Sequence, residues 1–277
     1  MKIWFITGVS SGFGKALVEE IVSKGDMVIG TLRKDSQIET FNNQYNGKAL
    51  AIKMDVTRID EIKVGVETII AKYGQIDVLV NNAGYGLFGA IEEVNEQEAR
   101  AQMETNFFGA LWVTKEVLPV MRQQQSGHIV QISSMAGFRG SPGLGIYNAS
   151  KYALEGFSEA LAQEVAPFNI KVSIVEPGPF RTHWAGNSSQ RSEKIIDAYS
   201  DTPAGQRIKI IHGYSGKQPG DPDKAAQAIL KIVEAPDPPL RIPLGKSAVS
   251  VMRDKLSSVE KELLKWEHLA LDTDFND

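Results

Sequence analysis

A tyrosine and a lysine lie four residues apart at the start of a segment with helical period, at Tyr147 and Lys151. Residues at this spacing project from one face of a helix, so the two side chains would be within reach of each other. A neighbouring ammonium group favours the charged form of a phenol and can lower its pKa from about 10 by roughly 1–3 units. We therefore expect Tyr147 to donate or accept a proton near neutral pH. In isolation, such a pair is more often a packing tyrosine beneath a surface lysine.

Two further groups of polar or small residues follow predicted strands. Ser134 lies just past one strand end, where its hydroxyl group could hold a substrate oxygen. The run Asn81-Asn82-Ala83-Gly84 ends another strand. Open α/β sheets bind their ligands at the carboxyl ends of the strands, so both groups are candidates for a ligand crevice. A plain turn explains the second group equally well.

A glycine-rich turn follows the first apolar run of the chain and leads directly into a helix. Its glycines allow close approach of the backbone to a pyrophosphate, and the N–H groups and positive end of the helix meet the charge. The position of the turn, after the first strand of an alternating chain, favours a dinucleotide-binding site. The residues predicted to bind the cofactor here are Gly8, Ser10, Ser11, Gly12, Phe13 and Gly14.

Two other motifs overlap this turn. The segment from Gly8 to Gly12 fits the Gly-x-Ser-x-Gly nucleophile elbow of hydrolases, but only seven residues precede it, too few for the loop that completes an oxyanion hole. The pair Gly14-Lys15 resembles a P-loop, which requires glycine where the sequence has Val9 and serine or threonine where it has Ala16. A glycine turn that binds no ligand is the remaining alternative.

The end of the second predicted strand carries a basic pair, Arg33 and Lys34. In a dinucleotide-binding fold, an acidic residue here would bind the ribose 2′-hydroxyl of NAD, whereas an arginine accepts the 2′-phosphate of NADP. Arg33 can form a bidentate contact with phosphate, and Lys34 would add a point charge. The sequence therefore predicts NADP(H) as the preferred coenzyme, with NAD(H) as the alternative. Without the glycine turn, a solvated basic turn would explain the pair.

The elements that position these residues alternate between short apolar runs and longer segments of helical period. Such alternation predicts an α/β Rossmann fold, a doubly wound parallel sheet with helices on both faces, and one domain over residues 1–277. Ser36 and Glu39 have the spacing of a capping box. The predicted strands are 3–6, 27–31, 49–54, 76–80, 128–133, 171–175 and 240–242, and the predicted helices are 13–24, 36–45, 59–73, 92–125, 147–165 and 221–235.

Two segments near the C-terminus depart from this rhythm. Residues 182–220 lack a periodic pattern and are predicted to form a substrate-binding loop. Residues 247–268 form a helical extension with an apolar stripe, which we expect to be buried on its own domain near that loop or on a partner subunit. The stripe consists of Val249, Met252, Leu256, Val259, Leu263 and Trp266.

Together these motifs resemble the short-chain dehydrogenase/reductase family over about residues 3–182. The segment Thr7 to Gly14 is similar to its Thr-Gly-x-x-x-Gly-x-Gly fingerprint, and Asn81 to Gly84 is similar to its Asn-Asn-Ala-Gly segment. The segment Tyr147 to Lys151 resembles its Tyr-x-Ala-Ser-Lys helix, and Ser134 lies where the family has its catalytic serine.

The resemblance implies an enzyme that transfers hydride between a nicotinamide and a carbonyl or alcohol. Tyr147 would protonate the developing alkoxide, Ser134 would position the oxygen, and Lys151 would lower the tyrosine pKa and hold the nicotinamide ribose. Asn106 would help to anchor a water that links Lys151 to solvent. The implied catalytic residues are Asn106, Ser134, Tyr147 and Lys151, and the further cofactor-binding residues are Asp55, Val56, Asn82, Ala83, Gly84, Pro177, Gly178 and Thr182.

The substrate is expected to be a small apolar molecule, because several aromatic and aliphatic residues lie on segments that flank the catalytic tyrosine in the family. The resemblance also implies a homodimer or homotetramer. The residues expected to line the pocket are Tyr85, Phe138, Leu144, Trp184 and Tyr214.

Composition excludes several other classes of protein. The chain has 30 basic and 34 acidic residues, which argues against nucleic acid or an anionic membrane as a partner. It has no cysteine, no apolar run long enough for a membrane span and no signal sequence, so we expect a cytoplasmic protein. The histidines His128, His183, His212 and His268 are scattered without the spacing of metal ligands, so no metal site is expected.

Two alternatives remain open at this point. The first is a redox sensor of the same fold that binds NADP(H) without turnover, although it would not need the proton-transfer residues. The second is a serine hydrolase, in which Ser10 would be the nucleophile and His212 or His268 the base.

Overall fold

The computed structural model describes residues 1–186 and 189–275; Asn187 and Ser188 of the predicted substrate loop and residues 276–277 lie outside the described residues. Short runs rich in β-branched and aliphatic residues form the strands, as expected for strands buried on both faces. The strands are β1 (Ile3–Ile6), β2 (Met27–Leu32), β3 (Ala49–Lys53), β4 (Val78–Asn81), β5 (Gly86–Phe88), β6 (Gly127–Ile132), β7 (Ile170–Pro177), β8 (Ser189–Arg191) and β9 (Arg241–Leu244).

Seven of these strands form one sheet in the order β3-β2-β1-β4-β6-β7-β9, and every neighbouring pair is parallel. In the centre of the sheet, Phe5 of β1 pairs with Ile29 of β2 and with Leu79 of β4. The order reverses beside β1, which opens a crevice between the carboxyl ends of β1 and β4. The predicted doubly wound parallel sheet is confirmed.

Helices cover both faces of this sheet. On one face, a hydrophobic cluster contains Leu17, Val28 and Ile229. On the other face, a second cluster contains Phe5, Val66 and Val117. The helices are α1 (Gly12–Ser23), α2 (Asp35–Tyr45), α3 (Ile59–Tyr73), α4 (Glu96–Met103), α5 (Gly109–Gln124), α6 (Gly145–Val165), α7 (Pro203–Gly213), α8 (Pro222–Glu234) and α9 (Lys246–Leu271).

Three local predictions are wrong. The capping box at Ser36 is absent, since α2 begins at Asp35 after Lys34, and no side chain caps its first turn. The predicted helix 92–125 is divided, because a π-helical turn, Glu104–Phe108, separates α4 from α5. The segment 182–220 is not all loop: it contains β8 and α7, and α7 has Pro203 at its first position, where proline is favoured.

The predicted burial of the C-terminal stripe on its own domain is also wrong for most of its length. Ala248 and Val251 of α9 are buried, but Leu256 is 56% exposed and Trp266 is 52% exposed. The helix therefore packs on the sheet only through its first turns. Contact with a partner subunit stays a prediction.

Candidate active site

The crevice beside β1 brings together residues that are far apart in the sequence. A methyl group on Gly8 would lie 3.2 Å from Cα of Ala83, which follows β4. A methyl group on Gly84 would lie 3.1 Å from Oδ1 of Asn106 and 3.8 Å from Nζ of Lys151. The glycine turn, the end of β4 and the polar side chains of two helices therefore meet at one edge of the sheet.

The glycine turn has the backbone that its residue types predict. Gly8 and Gly12 have φ of +73° and +57°, in the left-handed region that favours glycine. A side chain on Gly14 would collide with the carbonyl oxygen of Gly8, so the turn leaves a bare backbone cradle. At the start of α1, Ser11 makes no side-chain cap and the first turn has no acidic residue. The free N–H groups and the helix dipole there suit an anion such as a pyrophosphate.

Thr7 and Asn82 brace this turn from below. The hydroxyl oxygen of Thr7 accepts hydrogen bonds from the backbone N–H groups of Asn82 and Ala83, both at 3.0 Å. The side-chain amide of Asn82 donates to the carbonyl oxygens of Thr7 at 3.0 Å and Gly8 at 2.8 Å. The side-chain amide of Asn82 therefore stabilises the backbone conformation of the turn.

The opposite wall of the crevice is formed by the segment after β7. Gly178 donates its N–H to the carbonyl oxygen of Leu244 at 2.9 Å, which fixes the chain directly after Pro177. A methyl group on Gly12 would lie 3.5 Å from Cβ of Thr182. Thr182 therefore faces the start of α1, and a cleft of about 370 Å³ lies between the two segments.

Arg33 directly follows β2 at the same edge of the sheet. Its side chain is 77% exposed, and its Nη1 atom lies 4.0 Å from a carboxylate oxygen of Asp55, the second residue after β3. Lys53 is paired with Asp35 at 2.8 Å. Val56 is buried against Gly109 of α5. Within residues 1–186 and 189–275, the one ion pair of Arg33 is long and solvated, which leaves its guanidinium available to a ligand.

Tyr147 lies in the first turn of α6 and is 5% exposed. Burial raises the pKa of Tyr147 to about 12, because the phenolate would lose its hydration, and a hydrogen bond with Ser134 offsets only part of this effect. The expectation of a lowered pKa is therefore wrong for this structure. Tyr147 holds its proton firmly at neutral pH.

Lys151 is buried one turn further along α6. Its Nζ donates to the carbonyl oxygen of Ile132, the last residue of β6, at 2.8 Å. Burial lowers the pKa of Lys151 to about 8, although the nearby carboxylate of Glu155 favours the charged form. The ammonium group is thus fixed at the end of β6, where it is not the main influence on the pKa of Tyr147.

Asn106 lies within the π-helical turn between α4 and α5 and is 1% exposed. Its amide donates to the carbonyl oxygen of Tyr85 at 2.9 Å and to Oγ of Ser150 at 3.2 Å, and its Oδ1 accepts from the N–H of Tyr85 at 3.0 Å. π-Helical turns occur frequently at functional sites, because the extra residue redirects a side chain. No periodicity in the sequence indicates this one.

An apolar wall surrounds the hydroxyl end of this site. Trp184 lies 5.2 Å from the ring of Tyr147 and 5.4 Å from that of Phe88, between ring centroids. Of the residues predicted to line a pocket, Leu144 and Trp184 belong to this wall, whereas Tyr214 is 41% exposed. The buried members of the cluster are Phe88, Ala136, Leu144, Tyr147 and Ile208.

Phe88 and Ile208 were not identified from the sequence. Ile208 lies on α7, and its spacing from Ile211, which packs against the same cluster, is the helical signal within the segment 182–220. Phe88 lies on β5, which pairs in parallel with β8 of that same segment. The pairing of β5 with β8 therefore joins the segment 182–220 to the cluster that contains Tyr147.

A buried group of charges lies behind Lys151. Glu155 and Glu176 are 4% and 0% exposed, and Nε of Arg241 lies 3.0 Å from an oxygen of Glu155 and 3.4 Å from one of Glu176. Arg241 also pairs with the more exposed Glu159. Burial raises the pKa of both buried carboxyl groups, and the proximity of Glu155 raises that of Glu176 further. These residues were not identified as functional from the sequence.

The geometry gives no support to the hydrolase alternative. His212 packs edge-on against Phe88, with ring centroids 5.4 Å apart, and His268 lies near the end of α9. His128 is buried and contacts Oγ of Ser173 at 3.0 Å. Among residues 1–186 and 189–275, no three histidine or acidic side chains are arranged to hold a metal ion. None of the helices described is long and apolar enough to cross a bilayer.

Comparisons with known proteins agree with this geometry. The short chain dehydrogenase family model matches residues 2–193. The chain is 40% identical to oxidoreductase BOA17 of Botryotinia fuckeliana over 271 residues, which cover 98% of each chain. It is 41% identical to 3-ketodihydrosphingosine reductase of Bacteroides thetaiotaomicron over 249 residues, 88% of each chain.

Solved structures share the same fold. A short-chain dehydrogenase from Streptomyces avermitilis superposes with a TM-score of 0.92 at 43% identity, over 99% of this chain and all of that one. ElxO, solved with NADP bound, superposes with a TM-score of 0.75 at 25% identity, over 90% of this chain and 99% of that one. A short-chain dehydrogenase/reductase from Burkholderia phymatum, solved with NAD, superposes with a TM-score of 0.82 at 20% identity, over 94% and 95%.

Proposed function

Because this chain belongs to the short-chain dehydrogenase family, we propose that it interconverts a carbonyl and an alcohol on an apolar small molecule, with NADP(H) as its preferred coenzyme. One observation carries the proposal: the buried phenol of Tyr147, with the half-buried Ser134 as its hydrogen-bond partner, packs in an apolar wall. One helical turn further on, Lys151 reaches the crevice beside Gly84. A proton donor, a coenzyme cradle and a substrate surface thus meet at one point. When bound, the coenzyme supplies or accepts the hydride.

Tyr147 acts as the general acid in the reducing direction. Because its pKa lies far above neutral, the phenol is protonated when a carbonyl substrate arrives and can protonate the oxygen as negative charge develops there. Ser134 positions the same oxygen through its hydroxyl group. The ammonium of Lys151, held at the end of β6, stabilises the phenolate that proton transfer leaves behind.

Asn106 acts by fixing the backbone of Tyr85 beside the crevice through both of its amide atoms. Its contact with Ser150, which precedes Lys151, ties this segment to α6. Asn106 and Lys151 therefore keep their relative positions. We propose that this arrangement also anchors a water that returns protons to Lys151 from solvent.

The coenzyme would lie along the crevice, with its pyrophosphate on the turn from Gly8 to Gly14. The exposed guanidinium of Arg33 would bind the 2′-phosphate of NADP, and Asp55 and Val56 would lie near the adenine. On the other side, Lys151 and the segment from Pro177 to Thr182 would hold the nicotinamide end. The two solved neighbours that carry NADP and NAD support a nicotinamide dinucleotide of either type.

The substrate class is proposed from the apolar wall around Tyr147. The partly exposed indole of Trp184, backed by the buried side chains of Phe88 and Ile208, offers an uncharged apolar surface. An aliphatic or alicyclic ketone therefore suits the site better than an ionised sugar or acid. Because one relative is named 3-ketodihydrosphingosine reductase, we include 3-ketodihydrosphingosine in the first panel of test substrates.

The test follows the absorbance of NADPH with a panel of apolar and charged carbonyl compounds. We expect turnover with apolar ketones, and Tyr147→Phe should lower kcat by about 100-fold or more while coenzyme binding is retained. Tyr152→Phe is the matched control, because Tyr152 also lies on α6 but is 43% exposed and donates its hydroxyl proton to a backbone carbonyl oxygen, that of Phe138. Coenzyme binding without turnover on any carbonyl would favour the redox sensor, and unchanged rates in Tyr147→Phe would refute the mechanism.

A further inference from the structure

Helix α9 extends beyond the part that packs on the sheet. Its first turns are covered, with Ala248 and Val251 buried, but the apolar side chains that follow are exposed. Their exposed fractions are 56% for Leu256, 46% for Val259, 56% for Leu263 and 52% for Trp266. A contiguous exposed apolar face on a globular protein marks a surface that binds a partner.

The spacing of this face is that of a coiled-coil seam. The apolar positions alternate in steps of three and four over three heptads, which is the a and d pattern by which two helices interlock. We call these positions the α9 seam; its a positions are Val249, Leu256, Leu263 and Ala270, and its d positions are Met252, Val259 and Trp266. The seam positions by themselves form a narrow stripe, which suits another helix. Three further exposed leucines, Leu264, Leu269 and Leu271, lie outside these positions near the end of the helix.

The charges that flank the seam distinguish between two orientations of a pair of identical helices. If Leu256 of one copy packs on Val259 of an antiparallel second copy, Arg253 meets Glu260 and Lys255 meets Glu262, and symmetry doubles both attractive pairs. In a parallel pair in register, Lys255 of one copy meets Glu260 of the other, which is attractive. Glu262 then meets Glu267, which is repulsive. The charge pattern therefore favours the antiparallel pair.

The same charges argue against a lipid surface as the partner. From Arg253 to Glu267 the helix has four basic and four acidic residues. Helices that bind anionic membranes carry an excess of lysine and arginine on the polar face. A balanced set of charges suits a protein surface that presents both signs, as a second copy of this helix does.

We propose that the α9 seam binds a second copy of this chain through an antiparallel, two-fold symmetric pairing of the two α9 helices. A symmetric pair buries the same side chains on both subunits and closes on itself. None of the residues in the α9 seam has a role in the proposed reaction, so the proposal does not depend on that reaction.

The first test is the mass of the full-length protein in solution, measured by light scattering at micromolar concentration. Leu256→Glu combined with Leu263→Glu places like charges in the seam, and we expect the mass to fall to half that of the wild type. Ser250→Glu combined with Ser257→Glu adds the same charge outside the seam and should leave the mass unchanged. Because Leu256 and Leu263 are exposed within the subunit, we expect the double variant to fold. A cooperative thermal unfolding transition would confirm this.

The second test uses the absence of cysteine from the sequence. Met252→Cys combined with Leu263→Cys should form disulfide-linked dimers under mild oxidation, because an antiparallel pair places residue 252 opposite residue 263. Leu263→Cys alone should stay unlinked. Efficient linkage of the single variant would show a parallel pair and overturn the proposed geometry.

Two outcomes would overturn the seam as a contact between copies. One is a wild-type mass that equals that of the Leu256→Glu and Leu263→Glu variant. The other is a monomeric wild type that sediments with vesicles of phosphatidylcholine and phosphatidylglycerol, with sedimentation lost in that variant, which would assign the seam to a membrane.

Discussion

The indole ring of Trp184 lies against the phenol ring of Tyr147, with centroids 5.2 Å apart and an interplanar angle of 54°. Trp184 belongs to the segment after β7, whereas Tyr147 belongs to α6, so the contact joins the segment 182–220 to α6. A methyl group on Gly86 would lie 2.7 Å from the indole, which shows how closely β5 packs behind it. The indole is thus held between the phenol ring of Tyr147 and the backbone of β5 at Gly86.

Trp184→Ala should weaken the binding of apolar substrates. The variant removes a large part of the apolar wall, and we expect KM for an apolar ketone to rise about tenfold, which corresponds to roughly 1.4 kcal/mol. The effect on kcat should be smaller, because Tyr147 and Ser134 are retained. Steady-state kinetics measure both, and Tyr214→Ala, at an exposed residue beyond α7, is the control. An unchanged KM would remove Trp184 from the substrate surface.

The rate of carbonyl reduction should fall as the pH rises through about 8. Burial lowers the pKa of Lys151 to about 8, so the amine is charged below that pH and neutral above it. In the proposed mechanism only the charged form stabilises the phenolate that proton transfer leaves on Tyr147. Lys151→Arg stays charged and should lose this fall in the pH profile of kcat/KM, even if its rate at pH 7 is lower. A profile with the same fall in both proteins would assign it to another group.

Arg33→Ala should weaken NADPH binding by about 10- to 100-fold and leave NADH binding nearly unchanged. Charged hydrogen bonds to a phosphate contribute about 1.5–3 kcal/mol, and only NADPH has the 2′-phosphate. Fluorescence titration with both coenzymes measures this. Arg58→Ala is a matched control, since the side chain of Arg58 is also exposed, at 61% against 77% for Arg33, but pairs with Asp60 in the first turn of α3. Equal wild-type affinities, or equal losses for both coenzymes, would contradict the proposed role.

The free energy of unfolding should fall as the pH rises from about 4.5 to 8, and Glu176→Gln should make this fall smaller. Burial and the nearby Glu155 raise the pKa of Glu176 to about 8, so between about pH 4.5 and 8 the folded state keeps a proton that the unfolded state releases. The contribution of protonated Glu176 to stability is fully present below about pH 4.5, and it is lost as the pH rises through the pKa of Glu176 in the folded state.

Melting temperatures across that pH range, for the wild type and Glu176→Gln, measure this dependence. The variant should show the flatter curve. Glu159→Gln is the control, because Glu159 also pairs with Arg241 but is half exposed, and hydrogen bonding to Arg241 lowers its pKa. If the control flattened the curve as much as Glu176→Gln, the buried carboxyl would not be its source.

The sheet and its ligand edge could be predicted from the sequence because they depend on local patterns. Apolar runs such as that of β1 and the glycines at 8, 12 and 14 determine strand and turn without reference to distant residues. The spacing of Tyr147 and Lys151 likewise places both on one face of α6. These features were therefore recognised, and the sheet is confirmed.

The remaining features depend on contacts between distant segments. The pKa of Tyr147 is raised because residues from β5 and α7 bury it, and no local pattern reveals that burial. The π-helical turn at Asn106 adds one residue to a helix without changing its composition. The apolar stripe of α9 was recognised, but periodicity does not show which surface covers it.

The position of β9 at the edge of the sheet sets an order of events during synthesis. Arg241 belongs to the last strand, whereas Glu155 and Glu176 belong to α6 and β7, which leave the ribosome earlier. Until β9 arrives, β7 has an open edge and its acidic residue has no cation beside it. The nascent chain therefore cannot complete this half of the sheet until β9 has been synthesised.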